Sequence, residues 1–598
     1  MLKLLRATVA AGWAGPRSAA PWWAPLLVLL TLLAACDSKP KSAADTPGAA
    51  TSAADERIPP IDSATVERFF AASAQLKDHR ADALQFYRER QGRPGWIRRG
   101  AVVPQADKLL DKVADAKAEG LDPATYRPLV QDVQKQFAAL RAAKGSSKGD
   151  PDPEQLRRTD LALSALYFAF AGDFYKGTVD PHDDKSIEWS VKRNKIRLPR
   201  ALQTILQERE STYPYYEFGS LHPEYDRLRR ALSQYRALQK QGGWPVVPTP
   251  AQGRKLDPGA TDAVLVPVLR RRLLPGQPAA RPVAAQTAGV GGAPAEAPAS
   301  APEARYDEQL VGAVKAFQDR HGLNPDGIVG AGTVEALNVP VEARIDQLVL
   351  NMERWRWIPK KLGGRHLLVN IPEYKLHVVE DDHEVMEMRV IVGKQLKATP
   401  VFSDKIEHIV LAPYWGVPVS IVEEEIKPAM LRNPNFIDGQ NMEVLNGFGP
   451  KAQPIPAGSV DWANVTKENW KYVLRQRPGK ENPLGPMKFL FPNENDVYLH
   501  GTPNAWLFNK EERGFSHGCV RIEDPKKLAL YLLRDQPQWT SEKIDETVEA
   551  GAEKRINLKD HVPLFIVYFT AWADEDGTVH FRDDVYGHDK ALEQAMFN

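Results

Sequence analysis

The chain has 598 residues, too many for one hydrophobic core, and the length suggests about three to five domains. A net charge of +1 with 26% charged residues leaves neither a nucleic-acid footprint nor an acidic tail, so charge announces no partner. Two cysteines, Cys36 and Cys519, exclude a disulfide framework. The absence of a metal-ligand cluster, a Gly-rich phosphate loop or a dinucleotide fingerprint leads us to expect no metal and no cofactor.

Arg6 and Arg17 precede an apolar run from Trp22 to Ala35, too short for a stable membrane span and shaped like an export signal over residues 1–35. The segment Leu33-Ala34-Ala35-Cys36 resembles the bacterial lipobox, which implies a lipid on Cys36. Asp37 resembles the signal for staying in the inner membrane. A plain secretory signal with Cys36 incidental is the rival reading. Residues 36–57 hold little that is large and apolar and read as a disordered tether.

From 58 to 250 the pattern is helical. Tyr225, Leu228, Leu232, Tyr235 and Leu238 form one stripe, Leu161, Ala165 and Phe168 another, and 106–117 is a helix stopped at Gly120-Leu121-Asp122-Pro123. Phe86, Tyr87, Trp96 and Trp244 read as core aromatics. Residues 251–340 form a small helical domain interrupted at 275–304 by an Ala/Pro/Gly-rich disordered insertion. Its second half carries Leu310, Val314 and Phe317, then Asp326-Gly327-Ile328-Val329-Gly330 and Thr333 to Leu337. A linker helix at 341–365 places Ile345, Leu348, Met352 and Trp355 on one face.

At about His366 the period changes to two. Leu367, Val369 and Ile371, then Leu376 and Val378, then Met386, Met388, Val390 and Val392 alternate, with a turn at Asp381-Asp382-His383. Alternation lapses from about 422 to 483, where Trp462 and Trp470 mark an inserted lid, and returns at Met487–Phe491. Val497-Tyr498-Leu499 reads as a strand that places Tyr498 and His500 on one face. Asp524-Pro525 starts a helix, Pro563–Phe569 is a buried strand, and the Asp574–Gly577 turn leads to a second strand at Thr578–Phe581.

The chemistry concentrates at His500-Gly501-Thr502 and, after fifteen intervening residues, Ser516-His517-Gly518-Cys519-Val520-Arg521. A thiol nucleophile needs a base, because its thiolate fraction is small at neutral pH. A histidine can take the proton and return it to a leaving amine. Gly518 permits a tight turn in which N–H groups from His517 to Cys519 face an oxyanion.

This pattern resembles the L,D-transpeptidase (YkuD) catalytic domain, within the large multidomain periplasmic type of Gram-negative bacteria. The Asp-Gly-x-x-Gly-x-x-Thr-x-x-Ala-Leu run resembles the peptidoglycan-binding domain-1 family. The resemblance implies a multidomain α+β chain with a mostly β catalytic domain over 366–598 and a capping lid. It implies Cys519 as nucleophile, His500 as base, and Gly501 as the carbonyl orienting the imidazole. Ser516, His517, Gly518 and Arg521 would shape the site. Tyr498 and Trp415 are candidate pocket walls and equally candidate core residues.

It further implies a thioester acyl-enzyme and 3→3 cross-links between diaminopimelate residues of peptidoglycan stem peptides. Inhibition by carbapenems, partnership with cell-wall synthesis enzymes, and a periplasmic, membrane-anchored location follow from the same resemblance. L,D-carboxypeptidase activity, attachment of lipoproteins to peptidoglycan, and a non-catalytic wall-binding scaffold remain open.

Overall fold

The computed structural model describes residues 56–144, 152–182, 188–191, 196–207, 221–250, 253–274 and 304–597. The signal segment, Cys36, the tether as far as residue 55 and the insertion at 275–303 lie outside them.

In the first domain, α1 (Gln105–Ala114) ends three residues before the expected 117, because a 3-10 turn follows and Gly120 takes φ 73° to reverse the chain. α2 (Pro153–Lys176) begins with Asp152 as cap and Pro153 at its first position. Leu161, Ala165 and Phe168 are buried, but so are Leu163, Leu166 and Phe170 on other faces, so this helix runs through the middle of the core. Asp160, also inside, accepts from the Tyr87 hydroxyl at 2.8 Å and the Trp96 N–H at 2.6 Å. Phe86, Tyr87 and Trp96 are therefore core residues.

Two features break the all-helical expectation: a hairpin pairing Ile97–Arg98 with Ala101–Val102, and a strand β1 (Trp189–Ser190) that joins the catalytic sheet. In α3 (Pro223–Lys240) Tyr225, Leu228 and Leu232 are buried as the stripe predicts. Leu238 is not, at 38% exposure, because the helix overshoots the core in its last turns.

The small domain assembles from both sides of the insertion. Leu265 and Leu269 of α4 (Leu265–Leu273), Leu310, Val314 and Phe317 of α5 (Glu308–Arg320), and Leu337 of α6 (Ala331–Asn338) share one core with Tyr306. Val247 belongs to this core, so the domain starts before residue 251. Gln318, next to Phe317, ties this domain's turn. It accepts from Gly327 N–H at 2.8 Å and donates to the Ile328 carbonyl at 3.0 Å, fixing the turn that Gly327 makes at φ 79°.

The expected linker helix is instead a central pillar. α7 (Val341–Trp357) buries Ile345, Leu348, Met352 and Trp355, and on its other faces Asn351, Glu353, Arg354 and Arg356. Those polar groups survive burial because each finds partners. Arg356 donates to Glu353 at 2.8 Å, to the Glu119 carbonyl at 2.6 Å and to Tyr225 at 3.0 Å. Arg354 pairs with Asp589 at 2.5 Å, and Asn351 holds Thr570. First domain and catalytic domain are thereby packed on one helix.

The catalytic domain comprises β2 (Arg365–Asn370), β3 (Lys375–Glu380), β4 (His383–Gly393), β5 (Val401–Leu411), β6 (Met487–Leu490), β7 (Leu499–His500), β8 (Val520–Ile522) and β9 (Lys554–Val567). Their order is β6-β7-β8-β4-β3-β2-β9-β5, and β5 pairs back onto β6, so the eight strands close a ring. The β3–β4 turn has Asp381 and Asp382 at φ 48° and 66°, the signs of a two-residue type I′ turn. The buried strand expected at 563–569 is the end of β9. The later strand, at 579–581, pairs with a separate strand at 571–573 rather than with β9.

The insertion begins earlier than residue 422. Trp415–Gly416, Met442–Leu445, Pro454–Ile455 and Val473–Gln476 form a four-stranded sheet of their own. Val417, Val422, Ile437, Trp462 and Leu474 fill a separate core beneath it. The sequence lapses from period two there because a second small fold intervenes.

Candidate active site

β7 and β8 are adjacent parallel strands, with Leu499 opposite Val520 and His500 opposite Arg521. Leu499, Val520 and Ile522 are fully buried, which turns the intervening residues to the other face. Tyr498, His500, Cys519 and Arg521 consequently share a face. The Tyr498 and His500 rings lie 5.6 Å apart, and the Tyr498 side chain is near enough to the Cys519 thiol for each to perturb the other's ionisation. After β8, Asp524 caps α8 (Pro525–Leu532) through the Lys527 N–H at 2.9 Å, ending the catalytic segment firmly.

His500 Nδ1 lies 2.6 Å from the Gly501 carbonyl. A carbonyl only accepts, so Nδ1 carries the proton and the neutral ring keeps a lone pair on Nε2. Burial first, then the Arg521 charge, hold the imidazole pKa down to about 3, against the pull of the Gly501 and Pro483 carbonyls. Cys519, partly exposed, is the free cysteine among the described residues. Burial pushes its thiol above the ordinary thiol range, offset in part by Tyr498 and Arg521. The resting pair is therefore neutral thiol and neutral imidazole. Sγ also lies 3.8 Å from the Asp496 carbonyl.

The turn before Cys519 is tied from both sides. Gly518 adopts φ 118°, which a side chain would strain. Ser516 Oγ donates to the Cys519 carbonyl at 2.5 Å and accepts the Gly518 N–H at 3.1 Å. That occupies one of the three expected oxyanion donors and leaves the N–H groups of His517 and Cys519.

Behind the turn, buried Thr399 donates to the Gly518 carbonyl at 2.8 Å and accepts the Gly393 N–H at 2.8 Å. Gly393 is required there, since a Cβ would stand 2.7 Å from Thr399 N. Tyr586 donates to the Gly393 carbonyl at 2.6 Å. Nothing in the local sequence of Thr399 or Tyr586 signals this support. Thr399→Val keeps the shape but strands two buried backbone groups. It should cost about 1–3 kcal/mol of stability by urea unfolding and lower kcat several-fold with KM little changed.

The inserted subdomain reaches the same turn. Pro428 lacks the N–H an α-helix would use, and the preceding residues Val422–Ile426 form a π-turn. Glu424 of this turn pairs with Lys397 at 3.3 Å and Glu425 approaches His517 at 3.8 Å. Trp415 packs half-buried against the subdomain core.

Among the described residues, His377, Glu384 and Glu387 have metal-ligand spacing. Both His377 nitrogens already meet carboxylates, Glu384 at 2.6 Å and Glu373 at 3.0 Å. Despite burial these carboxylates raise the imidazole pKa to about 10, and a protonated ring has no lone pair for a metal. It is an ion-pair network.

A thiol and an imidazole of fixed tautomer on one face of adjacent strands, with backbone N–H groups in a tight turn, are equipped for acyl transfer. Residues 364–544 match the family model described as L,D-transpeptidase catalytic domain, or YkuD. Residues 81–232 match a scaffold domain, and residues 295–337 match the model described as "Putative peptidoglycan binding domain". The chain thus carries a YkuD-type L,D-transpeptidase catalytic domain together with a helical scaffold domain and a peptidoglycan-binding domain.

A protein of Haemophilus influenzae described as "Putative L,D-transpeptidase" is 35% identical over 258 residues, covering 43% of this chain and 51% of its own length. The chain therefore spans about half the length of that curated relative. Among solved structures, an L,D-transpeptidase from Mycobacterium smegmatis is 14% identical with a TM-score of 0.16, covering 34% of this chain and 58% of its own. One from Xylanimonas cellulosilytica is 15% identical with a TM-score of 0.16, covering 53% and 100%.

Proposed function

We propose that the protein is a peptidoglycan L,D-transpeptidase that forms 3→3 cross-links through a thioester on Cys519. The observation that carries this reading is the shared face of Tyr498, His500, Cys519 and Arg521 within the matched catalytic domain. As Sγ attacks the carbonyl of the third stem residue, the Sγ–C bond forms and His500 Nε2 takes the thiol proton. The oxyanion is held by the His517 and Cys519 N–H groups. On collapse the C–N bond breaks, and the imidazolium protonates the departing D-alanine amine.

The side-chain amine of diaminopimelate on a second stem then attacks the thioester, with His500 as base, and the thiol is restored. Carbapenems, which acylate the same thiol, are inhibitors on this reading. Cys36 carries a lipid and the enzyme works in the periplasm. The peptidoglycan-binding domain supports a wall substrate.

The test incubates the protein with disaccharide-tetrapeptide and separates the products. A dimer lacking one D-alanine, absent with Cys519→Ala, is expected. Tripeptide monomer alone would mean that water is the acceptor, and no product would contradict the enzyme reading.

A further inference from the structure

Away from the catalytic cluster, the seam where the small domain meets α3, α7 and the C-terminal hairpin gathers three guanidinium groups. Arg272 of α4 lies 4.1 Å from the Trp244 ring and 5.7 Å from that of Phe317. Arg320 of α5 lies 5.9 Å from Phe317, and Arg344 of α7 lies 4.5 Å from Phe581. Tyr235 closes the cage, 6.1 Å from Trp244 and 5.6 Å from Phe581, and His321 stacks on Phe317 at 3.9 Å.

The cations lack counter-ions in contact. Among the described residues the side chains of Arg272 and Arg320 make no ion pair or hydrogen bond, and their Nε atoms are buried without partners. Arg344 gives one N–H to Gln347 at 2.8 Å, and Asp583 acts on it only from a distance. Arg270, two residues from Arg272, shows the ordinary alternative by pairing with Asp307. Burial foremost, with the neighbouring guanidinium charges adding to it and Tyr235 and the Phe317 carbonyl opposing it, pulls Arg272 down to about 10 and His321 to about 2.

Ring faces offset part of the cost of burying these charges but supply no acceptor for their N–H groups. The guanidinium fork suits planar and tetrahedral oxyanions. Tyr235, Trp244, Arg272 and Arg320 all retain some exposed surface. We infer that this seam is an oxyanion-binding site that takes a carboxylate or phosphate group between Arg272, Arg320 and Arg344. Because these arginines come from the small domain and from α7, a bound anion fastens that domain to the pillar. The site does not depend on Cys519.

Thermal unfolding of the full chain tests it, in acetate and separately in inorganic phosphate, each against chloride at equal ionic strength. The wild-type midpoint should rise by about 2 °C or more at saturation in at least one of them. Acetate alone assigns a carboxylate and phosphate alone a phosphoryl group. Arg272→Gln and Arg320→Gln should melt no lower than wild type in chloride, since each removes a half-buried cation that has no acidic partner in contact, and should lose the rise. A wild-type midpoint indifferent to both anions overturns the site, with or without the variants, and so does a rise the variants retain.

Discussion

His500→Gln should lower turnover about 10²- to 10⁴-fold while leaving the thermal midpoint close to wild type, measured by dimer formation from disaccharide-tetrapeptide. The reason lies in protonation states. With its pKa held near 3, His500 is neutral from mildly acidic to alkaline pH, and its Nδ1 proton is committed to Gly501. Cys519 sits above the ordinary thiol value and is protonated at neutral pH. No resting thiolate–imidazolium pair stores the nucleophile, so the proton must leave as the carbonyl is attacked. Alkylation of Cys519 by iodoacetamide should accordingly climb about tenfold per pH unit through neutrality. A plateau of reactivity on the acid side would mean that the ion pair exists at rest.

Glu353→Leu should be the most damaging single change to the fold, lowering unfolding free energy by about 3–5 kcal/mol, read from urea denaturation. Glu353 and Arg356 are both fully buried and 2.8 Å apart. Removing the carboxylate strands the guanidinium in the core and also unties Thr178 and the Val179 N–H, which donate to Glu353 at 3.2 and 3.0 Å. The double variant Glu353→Leu/Arg356→Met removes both charges and should recover much of the loss. Failure of the double variant to recover would locate the damage in the Thr178–Val179 loop.

The catalytic segment was legible because its determinants are local. Period two fixed the face of Tyr498 and His500, and Asp524-Pro525 fixed the helix start. The positive-φ Asp381-Asp382 pair fell where a turn was read. The pillar was misread because apolar periodicity shows only the apolar face of α7. The burial of Glu353, Arg354 and Arg356 depends on partners as distant in sequence as Glu119 and Asp589. Strand β1 is two residues long and, among the described residues, pairs with the distant β5. Thr399 and Tyr586 reach the catalytic turn through tertiary packing. The early start of the inserted subdomain was hidden because Trp415–Gly416 continues strand-like into a different sheet. Trp415 accordingly faces that subdomain's core.

On the proposed mechanism Cys519 is the acylated residue. Intact-protein mass spectrometry of the full chain after incubation with a carbapenem tests it most directly. A single covalent adduct is expected on the wild type, slowed in His500→Gln and absent in Cys519→Ala. A wild-type mass left unchanged, or an adduct that persists in Cys519→Ala, would contradict it.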